Sequence, residues 1–144
     1  MDCPLCALPP EHVIWEDDRC RVIRVDDPAH PGFCRVVWGE HVAEMTDLSR
    51  ADRAHLFEVV MATEAALRTL LHPAKINLAS FGNMVPHLHW HVIARFDWDS
   101  HFPAPVWAAA QRLSPAAQEG AVRDRLPALE AELCTRLRAA LATR

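Results

Sequence analysis

The hydrophobic pattern changes period several times along the chain, and each change marks an element. His12-Val13-Ile14-Trp15-Glu16 and Cys20-Arg21-Val22-Ile23-Arg24-Val25 are rich in β-branched residues, and Asp17-Asp18-Arg19 separates them, which predicts a hairpin. Asp26-Asp27-Pro28-Ala29-His30-Pro31-Gly32 is turn chemistry, after which Phe33 to Trp38 resumes as a strand and Gly39 to Val42 bends away. The period then becomes helical. Leu56, Val59, Val60, Thr63, Ala66, Leu67 and Leu70 share one face, Ser49 stands at the N-cap with Asp52 three residues on, and the helix ends near His72-Pro73. His55 and His72 on this helix read as surface or terminal residues without function. Lys75 to Phe81 reads as another strand, and Gly82-Asn83 as a turn or bulge.

The strand that returns from that turn carries the most informative pattern. In Pro86-His87-Leu88-His89-Trp90-His91-Val92-Ile93 the histidines occupy every second position. Strand side chains alternate between faces, so His87, His89 and His91 should line one face while Leu88, Trp90 and Val92 line the other. Any one of these histidines would suit a hydrogen-bonded core. Three in strict alternation suit a reactive site, because imidazole exchanges protons near neutral pH, binds metals and acts as a nucleophile.

Beyond Arg95, the aromatic and proline-rich segment Phe96 to Trp107 predicts an ordered loop packed over something. A loop around Ser114-Pro115 follows. A last helix starts near Pro127, and its stripe of Leu129, Leu133, Leu137 and Leu141 is a face for the sheet or for a second subunit.

Composition narrows the field further. At 144 residues, 51% hydrophobic and 24% charged, the chain fits a single globular domain. A net charge of -4 provides no broad basic surface for nucleic acid or membrane binding. No signal peptide and no spanning apolar run is visible, so a cytoplasmic protein with reduced cysteines is expected. Cys3-x-x-Cys6 could then give two thiolates to a metal or simply fill an amino-terminal turn, whereas a redox role lacks the preceding strand.

Three classes of function fit the histidine row: a catalytic metal site, a nucleophile with acid–base neighbours, or a binding site alone. The metal reading lacks adjacent carboxylates on the strand. The nucleophile reading gains from the glycine turn and the short amides Asn77 and Asn83 upstream, which could donate to phosphate oxygens.

His87 to Ile93 resembles the His-φ-His-φ-His-φ-φ motif of the histidine triad (HIT) superfamily, φ being hydrophobic, and all seven positions fit. The resemblance extends over roughly residues 3 to 107. It implies an α+β fold with a mainly antiparallel sheet and one long central helix. Residues 1–110 would form the HIT-like domain, and 111–144 a C-terminal helical extension of it. It also implies a homodimer that acts on nucleotides at the α-phosphate, as a hydrolase of the phosphoramidase or dinucleoside polyphosphate type or as a nucleotidyl transferase. His89 would be the nucleophile forming a nucleotidyl-histidine, with His91 and His87 beside it. Asn77 and Asn83 would contact the phosphate region, and Asp26 or Asp27 the ribose, turn capping being the rival role for both aspartates.

No cofactor is implied for the reaction itself. A structural zinc is implied at Cys3, Cys6, His41 and His87, the positions that match the zinc ligands of some bacterial relatives. Two departures stand out. Met84 occupies a position where many relatives carry serine or threonine supporting the leaving group, and Phe33 replaces a further family histidine. Met84 keeps a third reading in view, a nucleotide-binding or regulatory protein with little turnover.

Overall fold

The computed structural model describes residues 3–142. In chain order it contains strands β1 (Val13–Glu16), β2 (Cys20–Arg24) and β3 (Phe33–Trp38), helix α1 (Arg50–Leu71), strands β4 (Lys75–Ala79) and β5 (His89–Arg95), and helices α2 (Ala116–Asp124) and α3 (Leu126–Ala142). The strands form one antiparallel sheet in the order β1-β2-β3-β5-β4, so the architecture is α+β. Because β4 lies at the edge, β5 runs between β3 and β4 and is bonded on both sides.

Register assigns the two faces of the sheet. Val37 is opposite His89 and Arg35 is opposite His91, while Val36 is opposite Trp90 and Cys34 is opposite Val92. The second set faces the helices: Val22, Val36, Val92 and Ala94 pack with Leu56, Val59, Val60 and Leu67 of α1. The leucine stripe of α3 belongs to this same core through buried Leu129, Leu133 and Leu137, and α3 packs on α1 and β1. On the opposite face a smaller cluster of Leu5, Ile23 and Val37 seats the amino-terminal segment, with Cys3, Leu8, Val13 and Val85 around it. One face is therefore ordinary core, and the other carries the histidines.

Local chemistry explains the boundaries of α1. The Ser49 hydroxyl accepts the backbone N–H of Asp52 at 3.1 Å, satisfying a donor that the first turn leaves free. His72 closes the helix in the left-handed region at φ 49°. The other histidine of this segment departs from expectation: His55, near the start of α1, is buried, and its Nε2 lies 2.7 Å from Asp17 Oδ2. Asp17 Oδ1 accepts the backbone N–H groups of Arg19 and Cys20, so one carboxylate closes the β1–β2 turn and pins it to α1.

Other differences concern element ends. β2 stops at Arg24 and β4 at Ala79, each short of the apolar run that suggested it, and α2 forms where a loop was expected. β5 begins at His89, so His87 and Leu88 precede the strand. Pro86 has no N–H to give to a ladder, and the N–H of Leu88 bonds to the carbonyl of Val42, beyond the end of β3. Among the described residues no helix is long and apolar enough to cross a membrane.

The loop after β5 is anchored by a buried ion pair. Arg95 Nε and Nη2 donate to the two oxygens of Asp99 at 2.9 and 3.1 Å, and Asp99 also accepts the backbone N–H groups of Phe96, His101 and Phe102. Burial alone would raise the Asp99 pKa, but the Arg95 and backbone donors outweigh it and hold the carboxyl at about 2.

Gly32, just before β3, lies close to both α1 and β5. A Cβ there would sit 2.8 Å from Leu71 Cδ1 and 2.9 Å from Ala94 Cβ, while the Gly32 carbonyl accepts the N–H of Ala94 at 2.9 Å. Gly32→Ala should therefore cost about 1–3 kcal/mol through overpacking. A denaturant melt compared with the native chain checks this; an unchanged midpoint would mean that α1 and β5 separate freely.

Candidate functional site

β5 delivers His89 and His91 to the same face, where their ring centroids lie 5.0 Å apart at 83°. Both are buried. His89 Nδ1 lies 2.6 Å from the backbone carbonyl of His87. A carbonyl only accepts, so Nδ1 carries the proton and Nε2 keeps the lone pair. The Ser80 hydroxyl donates to the carbonyl of His89 at 2.7 Å and ties the turn before β5 to the strand. Burial lowers the His89 pKa, Arg35 and His87 lower it further, and the His87 carbonyl opposes them.

His91 is set among aromatic rings and one guanidinium. Phe33 meets it edge-on at 5.6 Å, Trp107 lies at 5.4 Å and Phe81 at 6.4 Å. Phe81 and Trp107 touch each other at 4.8 Å although both are more than half exposed. The aromatic loop expected to pack over something thus puts Trp107 beside His91. Arg35 Nε lies 3.3 Å from His91 Nδ1. Burial, then Arg35, then His89 bring the His91 pKa down to about 4.

His87 turns elsewhere. Its Nε2 lies 2.5 Å from the carbonyl of Trp38, which fixes the proton there and leaves Nδ1 as the lone-pair nitrogen. That Nδ1 lies 3.5 Å from Cys3 Sγ, 3.5 Å from Cys6 Sγ and 3.2 Å from His41 Nδ1. Cys6 Sγ is 3.4 Å from His41 Nδ1. All four ligand atoms lie within 4.8 Å of one another. The edges of a tetrahedron around zinc would be about 3.3 Å for N···N and about 3.6 Å for N···S, from ordinary Zn–N and Zn–S bond lengths. The donor set, its spacing and the orientation of the His87 ring all fit a closed structural site.

The HIT domain model matches residues 8–98. The chain belongs to the HIT domain family. This is a family of nucleotide-binding proteins, hydrolases and transferases. The solved structure of a histidine triad protein from Bradyrhizobium japonicum is 27% identical with a TM-score of 0.70, the match covering 91% of this chain and 97% of that one. A histidine triad protein from Marinobacter aquaeolei VT8 is 28% identical over 85% of this chain and 90% of that one, with a TM-score of 0.67. One from Sinorhizobium meliloti 1021 is 26% identical over 88% and 90%, with a TM-score of 0.65. No curated protein matches significantly.

Within this HIT domain the other expected site residues are placed unequally. Asn77 is on the histidine face of β4, and its Oδ1 accepts Arg95 Nη1 at 2.8 Å, which leaves its amide N–H groups as the end free to donate. Asn83 lies in the exposed turn after Gly82, whose φ is 73°, and no side-chain hydrogen bond ties it to the histidines among the described residues. Asp27 caps its own turn, accepting the Ala29 N–H at 3.0 Å and lying 3.3 Å from His30 Nδ1. Asp26 is exposed. Met84 is 95% exposed.

Sequence reasoning missed Arg35, Phe81 and Trp107. Arg35 had only a partial signal, a charged residue in an otherwise apolar strand; its place opposite His91 comes from register, which the structure supplies. Trp107 had one too, the aromatic and proline-rich segment that ends on it, whereas Phe81, 26 residues away, had none.

His91 should titrate far below an ordinary histidine, near pH 4. Between the unfolded value of about 6.5 and that folded value, the unfolded chain binds a proton that the native ring refuses. This contribution is therefore neutral above pH ~6.5, destabilises progressively as pH falls and is complete below ~4. A histidine NMR titration checks it, and a His91 midpoint near 6.5 would contradict the burial and charge described.

Proposed function

We propose that the protein is a nucleotide hydrolase that works through a nucleotidyl-histidine at His89. The observation that carries this reading is the bond from His89 Nδ1 to the His87 carbonyl. It leaves Nε2 as the attacking lone pair and supplies an acceptor for the ring proton when the imidazole becomes positive. In the first step His89 Nε2 forms a bond to the α-phosphorus, the bond from phosphorus to the leaving group breaks, and the leaving group departs with the electron pair. In the second step water attacks phosphorus and gives up a proton to solvent, the P–N bond breaks with its electron pair returning to His89 Nε2, and nucleoside monophosphate is released. His91, the Asn77 amide and Asn83 are the phosphate-side partners that meet developing charge. Asp26, exposed where Asp27 is committed to its turn, is the better of the two for ribose hydroxyls.

The low His89 pKa serves this role, because a neutral imidazole is the nucleophile and burial keeps it neutral at physiological pH. Transfer of the nucleotide to an acceptor other than water uses the same first step. A leaving group of the phosphoramidate, dinucleoside polyphosphate or nucleotidyl sugar type is compatible with it. A thioether at Met84 cannot donate to a leaving group, and this favours substrates whose leaving group departs unassisted. A cytosolic homodimer completes this proposal.

Zinc belongs to the same proposal. Cys3, Cys6, His41 and His87 would hold it with no open coordination position, so it would supply a cross-link between the amino-terminal segment and the sheet and no chemistry at phosphorus.

With phosphoramidate, dinucleoside polyphosphate and nucleotidyl sugar substrates, His89→Ala should lower nucleoside monophosphate release by ~10³-fold or more. A mass shift of one nucleotidyl group on the native protein, absent from the variant, should accompany turnover. Binding without release from the native protein would overturn the hydrolase reading in favour of a binding protein.

Metal analysis should find one zinc per chain, lost in Cys6→Ser, and chelation should lower the melting temperature. Zinc-free protein with an unchanged melt would remove the structural metal.

A further inference from the structure

We infer that Arg35 is a positioning residue that holds His91 in its Nε2–H tautomer, making it a fixed hydrogen-bond donor beside the nucleophile. The inference rests on the reading of His89 as that nucleophile, but it makes a claim about the free protein that turnover does not decide.

The argument starts from the two neighbouring rings. His89 has its proton on Nδ1, because a carbonyl accepts from it. His91 has the opposite environment. Its Nδ1 faces Arg35 Nε at 3.3 Å, and a guanidinium N–H can only donate. A proton on His91 Nδ1 would set two donors against each other in a buried place, and an imidazolium would set two cations together. The remaining form places the proton on Nε2.

The surroundings leave His91 no competing orienter. Around it are Phe33 and Arg35 from β3, His89 from its own strand, Phe81 from the turn after β4, and Trp107 from the loop after β5. Three of these are aromatic rings without an acceptor for a His91 Nδ1 proton. Among the described residues no carboxylate pairs with Arg35, so its charge is not directed away from the ring. Arg35 instead stacks over Phe33 at 5.7 Å, which holds the guanidinium plane in place. Strand register brings Arg35 opposite His91 in the first place.

The two rings are therefore chemically different although their side chains are identical. His89 presents a lone pair at Nε2, and His91 presents an N–H at Nε2. A phosphoryl group attacked by the first ring needs a donor for its developing negative charge, and the second ring supplies one in advance. Losing the orienter frees the His91 ring to rotate, which should cost kcat more than KM.

The test compares the native chain with Arg35→Gln and Arg35→Met, using long-range ¹H–¹⁵N NMR of ¹⁵N-histidine-labelled full-length protein near pH 7. Glutamine Nε2 is the same number of bonds from Cα as arginine Nε, so it keeps the donor and loses the charge. Methionine loses both. The native protein should show His91 protonated at Nε2 alone and His89 at Nδ1 alone. Arg35→Gln should preserve the His91 pattern, and Arg35→Met should replace it by signals averaged between tautomers while His89 is unchanged. For a substrate that the native protein turns over, kcat should fall roughly 10-fold in the methionine variant with little change in KM, and recover in the glutamine variant. A native His91 protonated at Nδ1, or a His91 pattern indifferent to Arg35→Met, would overturn the inference, and because the native spectrum suffices, neither a poorly folding variant nor absent turnover hides that result.

Discussion

His87 is gripped at three points at once: Nε2 by the Trp38 carbonyl, Nδ1 by the cluster of Cys3, Cys6 and His41, and its own carbonyl by the Nδ1 proton of His89. The first grip fixes the ring to the end of β3, the second brings the amino-terminal segment onto the sheet, and the third sets the tautomer of the residue that begins β5. None of these could be moved alone. A residue in regular strand would present its carbonyl to a neighbouring strand, and the departure from regular pairing before His89 is what frees that carbonyl for a side chain.

The sheet makes such a site affordable to bury. β5 is bonded on both edges and covered by the helix layer on one face, so the backbone under the histidines is rigid and its polar groups are satisfied. On the opposite face one nitrogen of each imidazole must still find a partner of the right kind, because an unpaired buried polar atom is costly. Carbonyls meet His87 Nε2 and His89 Nδ1, and a guanidinium meets His91 Nδ1. Three identical side chains are thereby given three different jobs by what their second nitrogens touch.

Most of the fold was legible because the hydrophobic period is clean. β3 runs over the predicted residues Phe33–Trp38, α1 starts after the predicted cap Ser49, and the stripe of Leu129, Leu133 and Leu137 is the buried face of α3. Residues whose environment is assembled by tertiary contact were not legible. His55 reads as an exposed helical position, yet its partner Asp17 comes from a turn 38 positions away. His87 reads as part of a strand by alternation, yet its N–H bonds back to the carbonyl of Val85 and the N–H of Leu88 goes to Val42, so regular pairing starts only at His89. α2 is hidden by Gly120 within it and by its single buried residue, Val122, which gives no periodic signal. The triad motif points to the candidate site, whereas Arg35 reaches it through strand register, a quantity that a local pattern does not contain.

Phe33 and Met84, the two positions the sequence sets apart, have physically different surroundings. Phe33 is buried, meets the His91 ring in a T-shaped contact and lies under the Arg35 guanidinium, so the position forms part of a wall around both groups. A histidine there would add a fourth imidazole beside a cation, and the phenyl ring instead offers that cation a π face. Met84 is 95% exposed, in the turn that leads into the triad. Beside the apolar ring of Phe33, Arg35 provides the polar contact to His91. Met84 makes no side-chain hydrogen bond among the described contacts, so in the proposed reaction the departure of the leaving group would rest on the substrate's own chemistry.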